Sequence, residues 1–301
     1  MIILGKVIAI GNQKGGVGKT TTVNAMASGL AKIGFRVLAI DMDGQGNLTS
    51  SFGASKYNVP TTLEVLRGVV KPKEAIQSLP NGVDIIPANT MLSGAEAIII
   101  DTGKEYRTRE ALESDGTKSK YHYIILDTPP NLGIMTLNAY TAADEIILTS
   151  QAGMFSTEAL DAVYTTLQNV HKYLNPNFAV TGILITRYNP RFITYKAMYG
   201  LTSKMAVRLN APIYKTYIRD TISVGDAQAV NTDILSYDPN SIAAIDYWAF
   251  IREFLQQQGF PEEVMNRIPE VSKTNEQKLM DRIQIILNTD TAIKKGEVNE
   301  R

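Results

Sequence analysis

The sequence predicts an α/β fold in which helices cover both faces of a mostly parallel, doubly wound sheet. Three observations support this prediction: apolar runs of strand length, longer helical stretches between them, and a glycine-rich loop after the first strand. Short runs of Ile, Val and Leu that are bounded by Gly, Pro, Asp or Thr are typical of strands buried on both faces. Because such strands alternate with helices, we expect ligands to bind at the carboxyl ends of the strands.

Six apolar runs are predicted to form strands, and three longer stretches are predicted to form helices. The strands are expected at residues 7–10, 37–40, 83–86, 124–126, 145–148 and 181–185. The helices are expected at residues 20–33, 156–173 and 241–258. We therefore expect one globular domain over residues 1–258. Residues 259–301 are polar and predict a partly helical extension, either a frayed appendage or a helix that binds a partner or a membrane surface.

The composition excludes several kinds of site. The 301 residues include no cysteine, which excludes disulfides, thiolate-bound zinc and iron–sulfur clusters. Two histidines are too few for a histidine-based metal centre, so a bound metal is expected to be a hard cation held by oxygen. Thirty basic residues balance thirty acidic ones, so the whole-chain charge predicts no partner. Neither a signal peptide nor a membrane span is predicted, and we expect a cytoplasmic protein.

A phosphate-binding loop, the P-loop, is predicted at residues 11–20, which read GNQKGGVGKT and connect the first strand to the first helix. Glycines let backbone amides surround phosphate oxygens, and the helix N-terminus adds partial positive charge. Lys19 is expected at the β- and γ-phosphates, the hydroxyl of Thr20 at magnesium and Thr21 at the α-phosphate. The predicted nucleotide-binding residues are Gly15, Gly16, Val17, Gly18, Lys19, Thr20 and Thr21.

Three aspartates follow predicted strands and are candidates for binding magnesium and water. Asp41 and Asp43 come at the end of the second strand, in the run DMDGQGN, and Asp127 ends another apolar strand, in the run DTPP. Alternate residues of a strand point the same way, so Asp41 and Asp43 are both expected to face one site. Oxygen ligands suit Mg²⁺. The predicted magnesium residues are Thr20, Asp41 and Asp127.

The loop departs from the standard phosphate loop, because Gln13 stands in place of the first glycine and a second lysine, Lys14, lies beside it. Together with the runs at 41–47 and 127–130, this loop resembles the ParA/MinD group of deviant Walker ATPases, which have the P-loop NTPase fold. Within that group, the run at 41–47 is similar to the ParA (Soj-like) DNA-partition proteins. The likeness covers residues 5–258.

The resemblance implies an enzyme that binds ATP and Mg²⁺ and forms a homodimer with ATP between the subunits. It implies that Lys14 crosses the interface to the partner's ATP, that Asp43 supports hydrolysis and that Lys19 contacts the phosphates; these are the predicted catalytic residues. Members of this family bind DNA non-specifically as dimers, and a ParB-type partner stimulates their slow hydrolysis. The chain is therefore expected to segregate plasmid or chromosome DNA on the nucleoid, without stable membrane association. One departure is Gly44, which stands where the family usually has proline and predicts a more mobile loop.

An independent sign of DNA binding is a long stretch without acidic residues. From Ala162 to Arg219 the sequence contains no Asp or Glu but several Lys and Arg, with tyrosines between them. A basic surface of this kind binds DNA phosphates without sequence preference. The predicted DNA-binding residues are Arg187, Arg191, Lys196, Lys204, Arg208, Lys215 and Arg219.

Two other functions remain open at this point. A MinD-like ATPase on a membrane surface would need a basic amphipathic helix at its C-terminus, whereas residues 294–301 are polar. A nucleotide-dependent protein scaffold would hydrolyse little ATP, and the retained Asp43 argues against it. Binding to random-sequence DNA or to liposomes separates these hypotheses.

Overall fold

A computed structural model describes most of the chain. The described residues are 5–151, 157–189 and 195–269, with only the backbone described at 157–160 and 195–199. The chain divides into two compact units, Met1–Ile268 and Pro269–Arg301, and every helix and strand named below belongs to the first. Residues 270–301, most of the predicted polar extension, lie outside the described residues.

Within the described ranges, eight strands form a single sheet. They are β1 Lys6–Gly11, β2 Val37–Asp41, β3 Gln77–Ser78, β4 Val83–Ile86, β5 Tyr123–Asp127, β6 Glu145–Gln151, β7 Ala179–Tyr188 and β8 Ile213–Arg219. Their order across the sheet is β3-β4-β2-β5-β1-β6-β7-β8. All neighbours run parallel except β3, which is antiparallel to β4. The predicted doubly wound, mostly parallel sheet is confirmed.

Helices connect the strands. They are α1 Lys19–Lys32, α2 Asn47–Ser51, α3 Thr62–Leu66, α4 Pro72–Ala75, α5 Ala95–Ile98, α6 Arg107–Ser114, α7 Thr117–Lys120, α8 Ile134–Ala142, α9 Thr157–Tyr173, α10 Tyr195–Leu209, α11 Ile222–Ala229, α12 Ile234–Tyr237, α13 Ile242–Gln257 and α14 Glu262–Met265. Short 3₁₀ turns lie at Thr90–Gly94 and Lys104–Tyr106. Within the described ranges, none of the helices has the length and apolar character needed to cross a membrane.

The central strands are buried because apolar residues cover both of their faces. Every residue from Val7 to Gly11 and from Val37 to Asp41 is buried. Helix α1 lies so close to α13 that a Cβ on Gly29 would overlap the Cδ1 atom of Ile251. Because each fully buried Ile, Leu or Val contributes about 1.5–3 kcal/mol, this core fixes α1 and the loop in front of it.

The sequence does not predict β3 or β8. Strand β3 has only two residues, and β8 reads IYKTYIR, in which polar and aromatic side chains interrupt the apolar pattern. Both lie at edges of the sheet, where one side of a strand is less buried than in the centre. An edge strand therefore lacks the continuous apolar run that identifies β1 or β5.

Helix α13 covers the edge formed by β8 with two carboxylates. Glu253 accepts hydrogen bonds from the backbone nitrogens of Lys215 and Thr216, at 2.7 and 2.9 Å. Asp246 accepts one from the backbone nitrogen of Arg219 at 2.9 Å. Backbone amides at a sheet edge need partners, and here side chains of a helix supply them.

Candidate functional site

The P-loop lies at the carboxyl end of β1 and leads into α1. Gly16 and Gly18 have φ of 74° and 76°, a left-handed conformation that residues with a Cβ rarely adopt. A Cβ on Gly11 would overlap the hydroxyl group of Tyr140. The glycines therefore allow the tight turn in front of α1, whose N-terminal amides and partial positive charge attract phosphate.

A cavity of about 830 Å³ opens beside this loop, a size in the range of small-molecule sites. One side, the P-loop wall, is formed by Gly15, Gly16, Gly18, Lys19, Thr20 and Thr21. A second group of lining residues, the β8 wall, consists of Ile218, Arg219, Asp220, Thr221, Ile222, Val224, Gly225, Asp226 and Gln228. Thr186 and Arg187, at the end of β7, also line the cavity.

Lys19 lies inside the P-loop, where only 7% of its surface is exposed. Its Nζ donates a hydrogen bond to the carbonyl oxygen of Lys14 at 2.9 Å. Burial lowers the pKa of Lys19, while the charges of Asp127 and Asp43 oppose that shift. The backbone nitrogen of Lys14 in turn donates to Oδ1 of Asn12 at 3.0 Å. A phosphate oxygen in the loop would be a stronger partner for the ammonium of Lys19 than this carbonyl, because it is charged.

Thr20 and Asp127 meet at the predicted magnesium position. The hydroxyl of Thr20 donates to Oδ2 of Asp127 at 2.7 Å. Asp127 is fully buried, and in the part of the chain that the structure describes its Oδ1 has no hydrogen-bond partner. Burial, and next the charge of Asp41, raise the pKa of Asp127 well above its usual range. A buried carboxylate with an unsatisfied oxygen beside a hydroxyl fits a divalent cation.

The donor set around this position is small. Across the described ranges, no group of three or more His, Cys, Asp or Glu residues comes together in a way that could hold a metal ion. Mg²⁺ is usually bound by one or two protein oxygens, with water and substrate phosphates completing its shell. The pair formed by Thr20 and Asp127 therefore fits Mg²⁺ bound together with a nucleotide.

Asp41 and Asp43 differ in burial, and the charges of both act on Asp127. Strand β2 ends at Asp41, which is fully buried; its carboxylate accepts hydrogen bonds from the backbone nitrogen and hydroxyl of Thr49 at 2.8 and 2.6 Å. It also accepts one from the backbone nitrogen of Asp43 at 3.1 Å. Burial raises the pKa of Asp41 to about 6. Asp43 is half-buried and lines the cavity, while a magnesium role for Asp41 stays a prediction.

The segment 88–96 contacts both the loop after β2, which carries Asp43, and the start of α8, which follows the loop after Asp127. Sequence reasoning missed this segment. The backbone nitrogen of Ala88 donates to the hydroxyl of Thr49 at 2.9 Å. A Cβ on Gly44 would overlap Oγ of Ser93 and lie 2.7 Å from its backbone nitrogen, so the loop after β2 packs directly on this segment. Further along, Glu96 accepts a hydrogen bond at 3.2 Å from the backbone nitrogen of Ile134, at the start of α8.

The likeness to known proteins covers most of the chain. A family model described as an AAA domain, AAA_31, matches residues 5–180. The sporulation initiation inhibitor protein Soj of Bacillus subtilis is 36% identical over 253 residues, which cover 83% of this chain and 98% of Soj. The chromosome partitioning protein ParA of Caulobacter vibrioides is 34% identical over 260 residues, 84% of this chain and 95% of ParA. The chain belongs to the ParA/Soj family of partition ATPases.

A solved structure agrees with the ParA/Soj fold. Cobyrinic acid a,c-diamide synthase from Mycobacterium smegmatis, with bound ATP analog and magnesium, matches with a TM-score of 0.72 and 32% identity. The match covers 84% of this chain and 96% of that one. ATP and Mg²⁺, the cofactors expected here, are thus of the kind bound in a similar protein. That protein is named as a synthase and the sequence relatives as partition proteins, so what the two groups share is the fold and the nucleotide site.

Only part of the DNA surface predicted from the acid-free stretch lies on the exterior without an acidic partner beside it. Lys204 in α10 and Lys215 in β8 are exposed. Arg208 is exposed as well, but it forms an ion pair with Asp161, and its Cζ lies 4.1 Å from the ring centroid of Tyr164. Asp161 directly precedes the acid-free stretch and neutralises part of its charge.

The remaining predicted DNA contacts divide into three cases. Arg219 is 7% exposed, and its Nε and Nη2 donate to Asp246 at 2.9 and 2.7 Å. The DNA contact predicted at Arg219 is therefore wrong, because a buried, carboxylate-bound guanidinium does not reach a DNA phosphate. Arg187 lines the nucleotide cavity. Arg191 lies outside the described residues, and the side chain of Lys196 is not described.

Proposed function

We propose that this ParA/Soj-type chain is a MgATPase that uses ATP as a timing switch for DNA partition. ATP and Mg²⁺ bring two copies together, and the homodimer binds DNA without sequence preference. Hydrolysis, which is slow in the isolated protein and stimulated by a ParB-type partner, releases the DNA. The similarity to proteins named Soj and ParA supports a role in partition. We place this activity on the nucleoid, where the DNA lies.

The observation that carries the proposal is the second lysine in the P-loop. One lysine suffices for the β- and γ-phosphates in a standard P-loop, and Lys19 occupies that place here. Lys14 precedes two exposed glycines, Gly15 and Gly16, on the rim of the cavity. A cation at this rim is suited to neutralising phosphate charge on the nucleotide of a second subunit.

The residues of the P-loop and β5 bind the phosphate chain and stabilise its charge. Bound at Thr20 and Asp127, Mg²⁺ would supply charge neutralisation at the phosphate oxygens. Lys19 exchanges the carbonyl of Lys14 for the phosphates, and both lysines stabilise the charge that develops during phosphoryl transfer. Preorganisation is supplied by the left-handed glycines of the loop, because the turn is already formed and few groups must move when the phosphate enters.

The loop after β2 positions the carboxylate that handles water. Asp43 lines the cavity, and its Oδ1 accepts a hydrogen bond from the backbone nitrogen of Gln45 at 3.0 Å. Asp41 anchors the same loop through its three hydrogen bonds to Thr49 and Asp43. We assign to Asp43 the orientation of the attacking water and to Asp41 the positioning of Asp43.

Dimerisation raises DNA affinity because it doubles the number of basic side chains on one particle. Of the described candidates, Lys204 and Lys215 are exposed lysines for which no acidic ion-pair partner is found. Each phosphate contact releases counterions, so binding should weaken steeply with salt. A monomer with half of these contacts would bind weakly at the same salt concentration.

The test measures the binding of random-sequence duplex DNA by fluorescence anisotropy. It is carried out with ATP, with ADP and without nucleotide, across a salt series. We expect binding only with ATP and a linear fall of log K with log salt. Lys204→Ala/Lys215→Ala should lower the slope by about 1.8 per subunit, at about 0.9 for each phosphate contact. The matched control is Lys71→Ala/Lys73→Ala, two exposed lysines next to the opposite sheet edge.

A Lys14→Ala variant tests the dimer independently of DNA. Sedimentation with ATP should show a dimer for the wild-type chain and a monomer for the variant. A Lys14→Ala chain that still dimerises with ATP would contradict the role given to Lys14. Failure of the wild-type chain to bind DNA with any nucleotide would leave an ATPase whose surface of action is a membrane or a protein scaffold.

A further inference from the structure

One buried polar side chain of the P-loop has no role in the function proposed above. Asn12 follows β1 directly, and only 4% of its surface is exposed. Its Nδ2 donates a hydrogen bond to the carbonyl oxygen of Thr149 in β6. Its Oδ1 accepts one from the backbone nitrogen of Lys14 at 3.0 Å. A single carboxamide therefore joins the sheet to the residue that carries the second lysine of the loop.

The bond to Thr149 extends the sheet beyond the end of β1. Strand β1 pairs with β6 as far as Gly11, which lies opposite Leu148. Thr149 is the next residue of β6, and the side-chain amide of Asn12 donates to its carbonyl oxygen where a backbone amide would donate in a longer strand. The backbone can therefore leave the sheet at Asn12 while the side chain keeps the loop attached to β6.

The bond to Lys14 closes a turn. An Asn side-chain oxygen that accepts from the backbone amide two residues later fixes the local backbone. The carbonyl oxygen of Lys14 in turn accepts a hydrogen bond from Nζ of Lys19 at 2.9 Å. Both backbone polar groups of Lys14 are thus held, the nitrogen by Asn12 and the oxygen by Lys19. When Lys19 exchanges this carbonyl for the phosphates, as proposed above, the bond to Asn12 remains.

We propose that Asn12 is the positioning residue of Lys14: its carboxamide, anchored on β6, holds the backbone of Lys14 so that the lysine side chain reaches the nucleotide of a second subunit. This inference rests on the proposed ATP-dependent homodimer. Both ends of the carboxamide are needed, because ionised Asp only accepts hydrogen bonds and Ser has a single short hydroxyl. Phosphate binding within one subunit belongs to Lys19 and Thr20. Removal of the carboxamide therefore weakens dimerisation and leaves nucleotide binding by a single subunit intact.

Two measurements on the full chain in Mg²⁺ buffer test this role. Sedimentation equilibrium with adenylyl imidodiphosphate, an ATP analogue that is not hydrolysed, gives the Kd of the dimer, and calorimetry with ADP gives nucleotide binding to one subunit. Asn12→Ala should raise the dimer Kd about tenfold, the effect of about one hydrogen bond, and leave the Kd for ADP within about twofold of wild type. Asn12→Ser offers a weaker acceptor to the same amide, so its dimer Kd should lie between those of wild type and Asn12→Ala.

Asn175→Ala is the matched control. Asn175 is 1% exposed, and its Nδ2 donates to the carbonyl oxygens of Tyr140 and Ala143 at 3.1 and 2.7 Å. Its Oδ1 accepts a hydrogen bond at 3.3 Å from the backbone nitrogen of Asn177, two residues later. Asn175 thus has the same kinds of bond as Asn12, but it precedes β7, at the end of the sheet opposite to the P-loop. In chemical denaturation both alanine variants should lose stability, whereas only Asn12→Ala should lose dimer affinity.

Three results would overturn the role of Asn12. Asn12→Ala could dimerise as tightly as wild type, or Asn175→Ala could lose as much dimer affinity as Asn12→Ala. A loss of ADP affinity as large as the loss of dimer affinity would mean that Asn12 acts on nucleotide binding in general. If Asn12→Ala does not fold, Asn12→Ser supplies the same comparisons. A wild-type chain that stays monomeric with the ATP analogue would instead defeat the proposed function itself.

Discussion

The two walls of the nucleotide cavity are built by different means. The P-loop wall depends on backbone conformation: left-handed glycines at Gly16 and Gly18 and the N-terminus of α1. The β8 wall depends on ion pairs between segments that are distant in the chain, and Arg219 with Asp246 is the most buried of these. One wall is therefore encoded by ten consecutive residues, and the other exists only once the sheet has formed. We expect mutations in the P-loop wall to reduce ATP hydrolysis, and mutations in the β8 wall to reduce stability or nucleotide recognition.

The largest expected effect is on the β8 wall. Arg219→Met should lower the free energy of unfolding by about 3–5 kcal/mol, because it removes the guanidinium that donates to the buried carboxylate of Asp246. Chemical denaturation measures this loss. The double variant Arg219→Met/Asp246→Leu should recover most of the stability, since well-packed apolar groups can replace a buried pair. A single variant as stable as wild type would show that the pair does not hold the wall.

The next effect belongs to the P-loop wall. Lys19→Ala should reduce kcat for ATP hydrolysis at least about 100-fold, the usual cost of removing one group that stabilises transition-state charge. Its unfolding free energy should change little, because the variant also removes a buried ammonium whose pKa burial lowers. Phosphate-release assays measure kcat, and chemical denaturation of the same sample measures the free energy of unfolding. Loss of stability as large as in Arg219→Met would remove the distinction between the walls.

A smaller effect is expected where the loop after β2 meets the segment 88–96. Gly44→Ala should cost about 1–3 kcal/mol, because a Cβ there overlaps Ser93 and the contact includes backbone atoms that cannot rotate away. The matched control is Gly200→Ala, at a helical glycine with nothing within 4 Å of the added Cβ, which should gain up to about 1 kcal/mol. Thermal unfolding of both variants gives the difference. Equal midpoints would contradict the close packing of Gly44.

The smallest effect is expected at the surface. Arg208→Ala removes an exposed ion pair with Asp161, and exposed pairs contribute about 0.2–1 kcal/mol. Denaturation at low and high salt should show a small loss that shrinks as salt rises. A loss of several kcal/mol would mean that a surface pair can matter as much as the buried pair at Arg219.

The sequence predicts the P-loop wall because its information is local. Strand, glycines, lysine and threonine follow one another at fixed spacing, and the alternation of apolar runs with helices predicts the parallel sheet around them. The position of Asp127 at the site is predicted in the same way, because this residue ends a continuous apolar strand. Asp41 ends β2 and Asp43 follows it where the chain turns, and the expectation that both face one site stays a prediction.

The β8 wall could not be predicted in this way. Arg187 and Asp220 are 33 positions apart, and Arg219 and Asp246 are 27 apart, so no short motif connects either pair. The same arginines contribute to a basic stretch in the sequence, which predicts a DNA surface. Net charge along a segment does not reveal which cations are already neutralised by acidic residues from other segments. For Arg219 and Arg208 those acids lie at positions 246 and 161.

The carboxylates that α13 offers to β8 have a consequence for assembly. Glu253 and Asp246 already occupy the amides of Lys215, Thr216 and Arg219, so these amides are not open to a strand from another molecule. Open amides at a sheet edge allow strands of other copies to pair with it and extend the sheet into fibres. The two carboxylates of α13 therefore protect this edge against sheet extension.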